Sequence, residues 1–387
     1  MASVAEIIKK LNKEFKNDNL IVKADLIKQQ ADKLPTMALG MDYPLFGGLP
    51  LGHICVYSGL PHSGKTTAAC CELAAYQREF PDRPCFFIDV EHRLNLAFQA
   101  KMNGVDVSKL NYVDVKAGMS GEQVLDLIIE LQKADDIGMI VLDSVPALLP
   151  AAILKSDMVD DPGMRGTIAK KLYPFLALMK TMLSEKNNSF ICINQVRDGG
   201  MVNGMQIWKE ACGNALEFYA TVKVRFGKRK FTLGDNMNAC SSTNGEGSDG
   251  FRLQFKIIKN SEAEPTRGGG FITYRYATGL DWLNDLIEIA EGFDFILKSG
   301  SYRTLINCET GEAYIDENGN ILKGYMKDLA EYIRTHKEFQ EEYTSMLSRY
   351  ISGTKKNFGS LLSKEDADEI DEQESSVSAE NKRAKGE

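Results

Sequence analysis

A glycine-rich segment, residues 53–67, constrains the fold more than any other part of this 387-residue sequence. An apolar run from His53 to Tyr57 predicts a buried strand. Residues 59–66 then match the pattern G-x-x-x-x-G-K-[ST] in full, and a helix-like segment follows. Strand, glycine-rich loop and helix form the context in which this pattern binds phosphate. The sequence therefore predicts a nucleotide-binding loop, and the alternative is a chance match in an ordinary loop.

The residues of this loop have predicted roles. Its glycines let the backbone wrap closely, so that successive N–H groups point at phosphate oxygens, and the helix N-terminus adds partial positive charge. Lys65 is predicted to reach the β- and γ-phosphates of ATP, and the Thr66 hydroxyl to hold Mg²⁺. The predicted nucleotide-binding residues of the loop are Gly59, Leu60, Pro61, His62, Ser63, Gly64, Lys65, Thr66 and Thr67.

Composition limits the class of protein. Contents of 43% hydrophobic and 26% charged residues are ordinary for a soluble globular chain. No apolar run approaches the ~18–20 residues of a membrane span, and the N-terminus lacks the apolar core of a signal peptide. We therefore predict a cytoplasmic protein with no membrane partner. Eight cysteines without a C-x-x-C pair favour buried thiols over zinc sites or disulfides.

The charge is unevenly distributed along the chain. The net charge is −8, and residues 364–387 hold nine acidic and four basic residues, which account for −5 of it. The body is therefore close to neutral, and local basic groups could still bind nucleic acid.

Hydrophobic periodicity predicts an α/β fold. Apolar runs at 85–89, 112–115, 138–143 and 189–194 alternate with segments of helical spacing, and the runs are apolar on both faces. This pattern predicts a mostly parallel sheet flanked by helices, extended by antiparallel strands after about residue 219. The predicted domains are an N-terminal helix and linker (1–37), an ATPase core (38–279), a small α+β C-terminal domain (280–352) and a disordered acidic tail (353–387).

Three polar residues follow predicted strands, where ligands of parallel sheets gather. Asp143 is predicted to lie on the Mg²⁺ side of the site, although an aspartate there could also cap the next turn. Glu91 is predicted to be the general base that activates water, against the alternative of a surface glutamate. Gln195 could sense the γ-phosphate and transmit its presence into residues 198–209; an ordinary surface loop is an equal alternative.

Six segments, in this order, resemble the RecA family of DNA recombinases, in particular its bacterial type. They read GGLPLGH, SGKTT, FIDVEH, VLDSVPAL, INQVR and GNALEFYA, and the resemblance extends over about residues 38–352. It implies a RecA-type core that binds ATP at a subunit interface and forms a helical homopolymer on single-stranded DNA. It also implies double-stranded DNA, single-strand-binding proteins and loader proteins as partners. The sequence leaves open whether a bacterial or a phage genome encodes the chain.

The resemblance assigns further residues. Asn95 and Phe98 would lie against the nucleotide base, where family members often have Asp and Tyr, and Gln195 would couple ATP to DNA. Two DNA-binding loops would fall at about 153–166 and 197–212, and the first is unusually acidic. The implied DNA-binding residues are Met164, Arg165, Lys170, Arg197, Met201, Val202, Met205, Trp208, Lys209, Gly213 and Asn214.

The resemblance also implies how subunits join. Phe218 and the N-terminal helix, with Ile7 and Leu11 on its apolar stripe, would dock on a neighbouring subunit; from the residues alone, that stripe could equally pack on its own core. The family often inserts two lysines into the neighbour's site, whereas here only Lys259 is present and Ser261 occupies the second position. Cations inserted in this way are worth roughly 10³–10⁵ in rate in P-loop enzymes. Either Lys259 suffices or Arg267 substitutes.

These inferences predict an ATP-dependent recombinase that is stimulated by single-stranded DNA and catalyses homologous pairing and strand exchange in repair. One alternative is a hexameric helicase on the same core fold, which would need an N-terminal domain of ~100 residues or more. The other is a recombination mediator that hydrolyses ATP without exchanging strands. The acidic tail is predicted to compete with DNA phosphates, against the alternative of a solvated end.

Overall fold

A computed structural model describes residues 3–15, 21, 31–116, 118–154, 167–202, 205–234, 238–240, 245–264, 266–353 and 359–372, with the backbone alone at 197–209, 238–239 and 371–372. The chain divides into two units, Met1–Asp32 and Lys33–Glu387. The first unit contains the predicted helix, α1 (Val4–Glu14). Ser3 and Glu6 form a reciprocal capping box at its start, which satisfies two backbone N–H groups and fixes where the helix begins. No residue of α1 is buried.

The second unit contains the remaining helices. They are α2 (Leu39–Asp42), α3 (Lys65–Glu79), α4 (Leu96–Asn103), α5 (Gly121–Gln132), α6 (Ala151–Leu154), α7 (Thr167–Lys186), α8 (Ala215–Tyr219), α9 (Trp282–Gly292), α10 (Met326–Thr335), α11 (Lys337–Gly353) and α12 (Lys364–Glu372). In the part of the chain that the structure describes, no helix is long and apolar enough to cross a membrane.

The strands of the second unit form one large sheet and several small ones. They are β1 (Lys33–Leu34), β2 (Leu49–Pro50), β3 (Ile54–Gly59), β4 (Cys85–Asp89), β5 (Leu110–Asp114), β6 (Ile140–Asp143), β7 (Phe190–Ile193), β8 (Val196–Val202), β9 (Met205–Glu210), β10 (Val222–Phe226), β11 (Lys230–Leu233), β12 (Asn238–Ala239), β13 (Gly250–Asn260), β14 (Gly269–Arg275), β15 (Gly279–Leu280), β16 (Ile296–Ser299), β17 (Tyr302–Leu305) and β18 (Lys323–Tyr325).

The large sheet has the predicted mixed, mostly parallel character. Its order is β12-β11-β13-β10-β3-β7-β6-β4-β5, and β14 and β15 extend it from β13. Strands β10, β3, β7, β6, β4 and β5 run parallel, whereas β11 to β15 pair antiparallel. The phosphate loop therefore leaves the sheet from a central strand, with parallel neighbours on both sides.

Both faces of this sheet are covered, as the apolar strands predicted. Along β3, Cys55 and Tyr57 belong to one hydrophobic cluster, whereas Ile54 and Val56 belong to the other. This alternation follows from the two-residue period of a strand, and burial on both faces explains why β3 has no polar stripe. The carboxyl ends of β3, β4, β6 and β7 consequently meet along one edge, where their last residues can form a site.

A third hydrophobic cluster lies in the C-terminal part of the chain. The antiparallel sheet β16-β17-β18 packs with α9, α10 and α11, and Leu39 of α2 and Tyr43, which follows α2, belong to the same cluster. The chain turns near residue 318, since Ile315 forms an antiparallel bridge with Ile321. The boundaries of the predicted domains stay a prediction.

Part of the acidic tail differs from its prediction. Residues 364–372, expected to be disordered, form helix α12. Asp366 and Glu369 make ion pairs with Lys230, and Glu369 lies 3.9 Å from Lys228. Ile370 is buried. Sequence reasoning missed this helix because its stability comes from opposite charges and a hydrophobic contact that are distant in sequence. Residues 373–387 lie outside the described part of the chain.

Candidate nucleotide-binding site

The phosphate loop has the conformation that its glycines permit. Gly59 has a φ of 152° and Gly64 a φ of 90°, and α3 begins directly after Gly64. The Lys65 ammonium donates hydrogen bonds to the carbonyl oxygens of Gly59 (3.0 Å) and Leu60 (2.7 Å). Burial lowers the pKa of Lys65 to about 8. The loop therefore holds a buried cation beside the free N–H groups of a helix N-terminus, which is an arrangement that favours anions.

The neighbouring strand of the sheet leaves no space for a side chain at Gly59, the first glycine of the loop. A Cβ at Gly59 would lie 2.5 Å from the Phe226 carbonyl oxygen, because β3 and β10 pair side by side. We expect Gly59→Ala to lower the free energy of unfolding by at least about 2 kcal/mol, through overpacking and backbone strain. Gly104→Ala is the matched control, since Gly104 also has a positive φ (72°) but open space around it. Chemical denaturation that gives equal losses for the two variants would contradict this account.

A hydroxyl and a carboxylate meet beside the loop. The Thr66 hydroxyl donates a hydrogen bond of 2.6 Å to Asp143 Oδ2, and Asp143 is the last residue of β6. Burial raises the pKa of Asp143 to about 6. Mg²⁺ is held in such sites by one or two oxygen groups of the protein together with waters and phosphates, so these two residues fit it. Among the described residues, no group of three His, Cys, Asp or Glu side chains forms a separate metal site.

Glu91 lies at the centre of a small network. Its Oε1 accepts hydrogen bonds from the Ser144 hydroxyl and from the Gln195 side-chain amide. Glu91 follows β4, Ser144 follows β6 and Gln195 follows β7, so parallel pairing of the strands brings them together. Arg93 Nη1 lies 3.7 Å from the other carboxylate oxygen, Oε2. Sequence reasoning identified Glu91 and Gln195 but gave Ser144 no role, although Ser144 directly follows Asp143.

One cleft of about 600 Å³ brings the predicted residues together. Asn95 begins α4, and its side-chain oxygen accepts a hydrogen bond of 2.9 Å from the Phe98 backbone N–H. The predicted residues that line the cleft are Pro61, His62, Gly64, Lys65, Thr66, Thr67, Glu91, Asn95, Phe98, Asp143 and Gln195. The lining residues that were not assigned to this site are Arg93, Leu94, Gln99, Pro146, Ala147, Ile193 and Arg229.

The second predicted DNA loop is a hairpin in the structure. Strands β8 and β9 pair antiparallel from Val196 with Glu210 to Val202 with Met205, whereas the sequence predicted a loop here. The base of the hairpin is attached to the cleft, since the Ala211 N–H donates to the Gln195 carbonyl oxygen (3.0 Å). The glycines of this segment hid the strand pattern, and only the pairing of two segments reveals it.

The remaining residues predicted to bind DNA are only partly described. Lys170 is exposed on α7, and Gly213 and Asn214 are exposed before α8. Met164 and Arg165 lie outside the described residues. The same applies to the side chains of Arg197, Met201, Val202, Met205, Trp208 and Lys209.

Two residues predicted to join subunits are neighbours. Phe218 on α8 is 69% exposed. The Lys259 ammonium donates hydrogen bonds to the carbonyl oxygens of Glu217 (3.0 Å) and Phe218 (3.3 Å). Lys259 does not line the cleft of its own chain. In the first unit, Ile7 is exposed and Leu11 is half-buried.

The suggestion that Arg267 replaces the second lysine is wrong. Its side chain is 1% exposed and lies over the rings of Tyr43 (4.7 Å) and Phe46 (3.9 Å). It also donates hydrogen bonds to the backbone carbonyls of Tyr43 and Ile351. A guanidinium buried in this way cannot reach a neighbouring subunit. Arg267 instead ties α2 to the end of α11.

Comparison with known proteins agrees with this geometry. The RecA N-terminal domain family matches residues 2–281. Protein RecA of Thermus aquaticus is 30% identical over 344 residues, which cover 88% of this chain and 92% of the relative. Protein RecA of Helicobacter hepaticus is 32% identical, covering 84% and 89%, and that of Clostridioides difficile is 28% identical, covering 91% and 97%. With the phosphate loop, the mixed sheet and the residues of the cleft, these matches show that the chain belongs to the RecA family.

Proposed function

We propose that the protein is an ATP-dependent, single-stranded-DNA-stimulated recombinase. In this proposal it forms helical filaments on single-stranded DNA and catalyses homologous pairing and strand exchange with double-stranded DNA in recombinational repair. The observation that carries the proposal is the path from the cleft to the hairpin: Gln195 bonds Glu91 through its side chain and holds Ala211, at the base of the hairpin, through its backbone. This path links the residues of the cleft to the segment predicted to bind DNA.

Each residue of the cleft has a role in hydrolysis in this proposal. Lys65 and the N–H groups at the start of α3 would bind the triphosphate and stabilise the charge that develops on it. Thr66 and Asp143 would hold Mg²⁺, which supplies further neutralisation of phosphate charge when bound. Glu91 would accept a proton from the attacking water. Ser144 and Gln195 hold one oxygen of Glu91, and the other oxygen, which lies 3.7 Å from Arg93 Nη1, would bind that water.

The coupling to DNA follows from the position of Gln195. An amide that bonds both Glu91 and Ser144 would change partners when a γ-phosphate enters the cleft. Because the Gln195 backbone is bonded to Ala211, such a change would reach β9 directly. Glu210, at the end of β9, forms buried ion pairs with Lys223 (3.1 Å) and Arg225. This rigid base would pass the change on to the hairpin rather than absorb it.

Assembly would complete the site. Phe218 and Lys259 share one surface, so the contact that buries Phe218 on a neighbour would also bring Lys259 to that neighbour. In this proposal Lys259 reaches the neighbour's phosphates, and Ile7 and Leu11 of α1 dock on the adjacent subunit. Hydrolysis would then depend on filament formation. Single-strand-binding and loader proteins would act on this filament in the cytoplasm.

The test of the function is ATP hydrolysis with and without single-stranded DNA, followed by electron microscopy of the mixture and a strand-exchange assay. We expect stimulated hydrolysis, helical filaments and exchange. A rate of ATP hydrolysis that does not change when single-stranded DNA is added, together with an absence of filaments, would exclude the recombinase. Filaments without strand exchange would favour the mediator, a function that is compatible with a serine in place of the second lysine at position 261. Unwinding of a forked duplex without homology would favour the helicase.

The tail is expected to restrain the capture of double-stranded DNA. Helix α12 places Asp366 and Glu369 on Lys228 and Lys230, cations that could otherwise contact phosphates. Deleting residues 364–387 should therefore accelerate uptake of duplex DNA into filaments. Deleting residues 373–387 is the matched control, because it keeps α12 and should leave the rate closer to that of the full chain. If the longer deletion leaves the rate of duplex uptake unchanged, the tail has no role in restraining it.

A further inference from the structure

We propose that Arg229 binds the nucleoside end of the nucleotide and so completes the cleft. This inference rests on the proposed binding of ATP in that cleft. Arg229 lines the cleft together with Asn95 and Phe98. Arg229 had no role assigned from sequence, because it lies within a run of three basic residues, Lys228, Arg229 and Lys230.

The pairing of strands in the large sheet places Arg229 at the cleft. Phe226, the last residue of β10, pairs with Gly59, where the phosphate loop starts. The chain then turns through Gly227 and Lys228, so Arg229 emerges beyond the carboxyl end of β10, on the same edge of the sheet as the loop. Lys228 and Lys230 point away to α12, where they meet Glu369 and Asp366. The three consecutive basic residues therefore serve two different surfaces.

The side chain of Arg229 is held in place by aromatic residues. Its guanidinium lies over the Phe251 ring, 4.5 Å from the ring centroid. The Phe251 and Tyr276 rings are 5.6 Å apart, so together they form a supporting wall. A guanidinium that is already held on a ring loses little further rotamer freedom when it binds a ligand.

This cation lacks an anionic partner among the described residues. Burial lowers the pKa of Arg229 from its ordinary value, and the electrostatic influences on it come from Tyr274 and Tyr276, not from a carboxylate. Its Nε–H is buried, and no acceptor in the described part of the chain bonds it. A buried donor of this kind costs free energy until it is satisfied. An acceptor supplied by a ligand in the cleft would satisfy it.

The acceptor belongs to the nucleoside, not to the phosphates. Lys65 is held at the start of α3 by the loop carbonyls of Gly59 and Leu60, whereas Arg229 is held on the Phe251 ring, so the two cations have different supports in the cleft. Tyr276 follows β14 and precedes β15, and the β15 residue Gly279 lies against the backbone of Lys101 and Met102 in α4. Arg229 lines the cleft together with Asn95 and Phe98 at the start of α4, and there we expect its donors to meet a ring nitrogen or a sugar oxygen.

The test compares ATP with a ligand that has no nucleoside. For Arg229→Gln, we expect the Kd of a non-hydrolysable ATP analogue to rise at least about ten-fold, because a charge-assisted hydrogen bond is lost. Affinity for inorganic tripolyphosphate, measured as competition with the analogue, should stay within about two-fold of wild type. Lys65→Ala should weaken both ligands. Lys228→Gln, in the same turn, should weaken neither.

The outcomes separate this inference from the proposed function. If wild-type protein binds no nucleotide, the proposed function fails. If wild type binds and Arg229→Gln either binds the ATP analogue normally or loses both ligands equally, the assignment of Arg229 is wrong. If thermal melting shows that Arg229→Gln is unfolded, Arg229→Lys keeps the charge without the planar fork and should show the same selective loss. Full recovery of ATP affinity in Arg229→Lys would overturn the inference, because charge alone would then suffice.

Discussion

Replacement of Lys65 by alanine is expected to lower ATP turnover by at least roughly 10²–10³-fold. The Lys65 ammonium is buried at the start of α3, and the loop carbonyls of Gly59 and Leu60 hold it beside the cleft. A fixed cation in a site of low dielectric stabilises developing phosphate charge without reorganising, and no other described cation is held by the loop in this way. Steady-state phosphate release with saturating single-stranded DNA measures the effect.

The control for this variant is Lys109→Ala. Lys109 is an exposed lysine just before β5 and lies outside the cleft, so its removal should leave turnover unchanged. Filament formation that requires ATP should fail in Lys65→Ala and persist in the control. Normal turnover by Lys65→Ala would remove the basis for the phosphate-binding role of the loop.

Glu91→Gln is expected to slow hydrolysis by roughly 10²–10⁴-fold, the range typical of a general base, with nucleotide affinity kept. The glutamine keeps the size of the side chain but cannot accept the proton of water. Because ATP would remain bound, filaments on single-stranded DNA should persist much longer than those of wild type. Single-turnover hydrolysis and the lifetime of filaments after dilution measure the two effects separately.

Glu130→Gln is the matched control, since Glu130 is exposed on α5 and its only described ion pair is with Lys133. Unchanged turnover in Glu91→Gln would exclude Glu91 as the base. A loss of nucleotide affinity equal to the loss of turnover would instead place Glu91 in binding, and the network with Ser144 and Gln195 would need another explanation.

Local sequence patterns predicted much of the cleft. Gly59 and Gly64 mark the loop because only glycine adopts those backbone angles readily, and Lys65 follows at a fixed spacing. Glu91 and Asp143 were found because Glu91 follows a short apolar strand and Asp143 ends one, and parallel strands end at one edge of the sheet. These signals depend on neighbouring residues or on a general property of the fold, so they can be read without coordinates.

The other features depend on contacts between distant segments. Lys259 and Phe218 were linked by resemblance alone, and the structure places them on one surface. The sequence around Arg267 suggested an exposed cation after a strand, yet the Arg267 side chain is buried against Tyr43. Helix α12 has the composition of a disordered end, yet it packs on basic residues. In each case the partner that decides the outcome lies far away in the chain.

The sequence by itself therefore determined the phosphate loop, the alternation of strands and helices, and the candidates Lys65, Glu91 and Asp143, since these arise from local backbone preferences and hydrophobic periodicity. Only the tertiary structure decided which polar residues share an oxygen of Glu91, which of three consecutive basic residues enters the cleft, and which cation is buried. Those outcomes are set by strand order and by packing between segments that are distant in the chain. The local pattern of residues along the sequence does not show which of these contacts form.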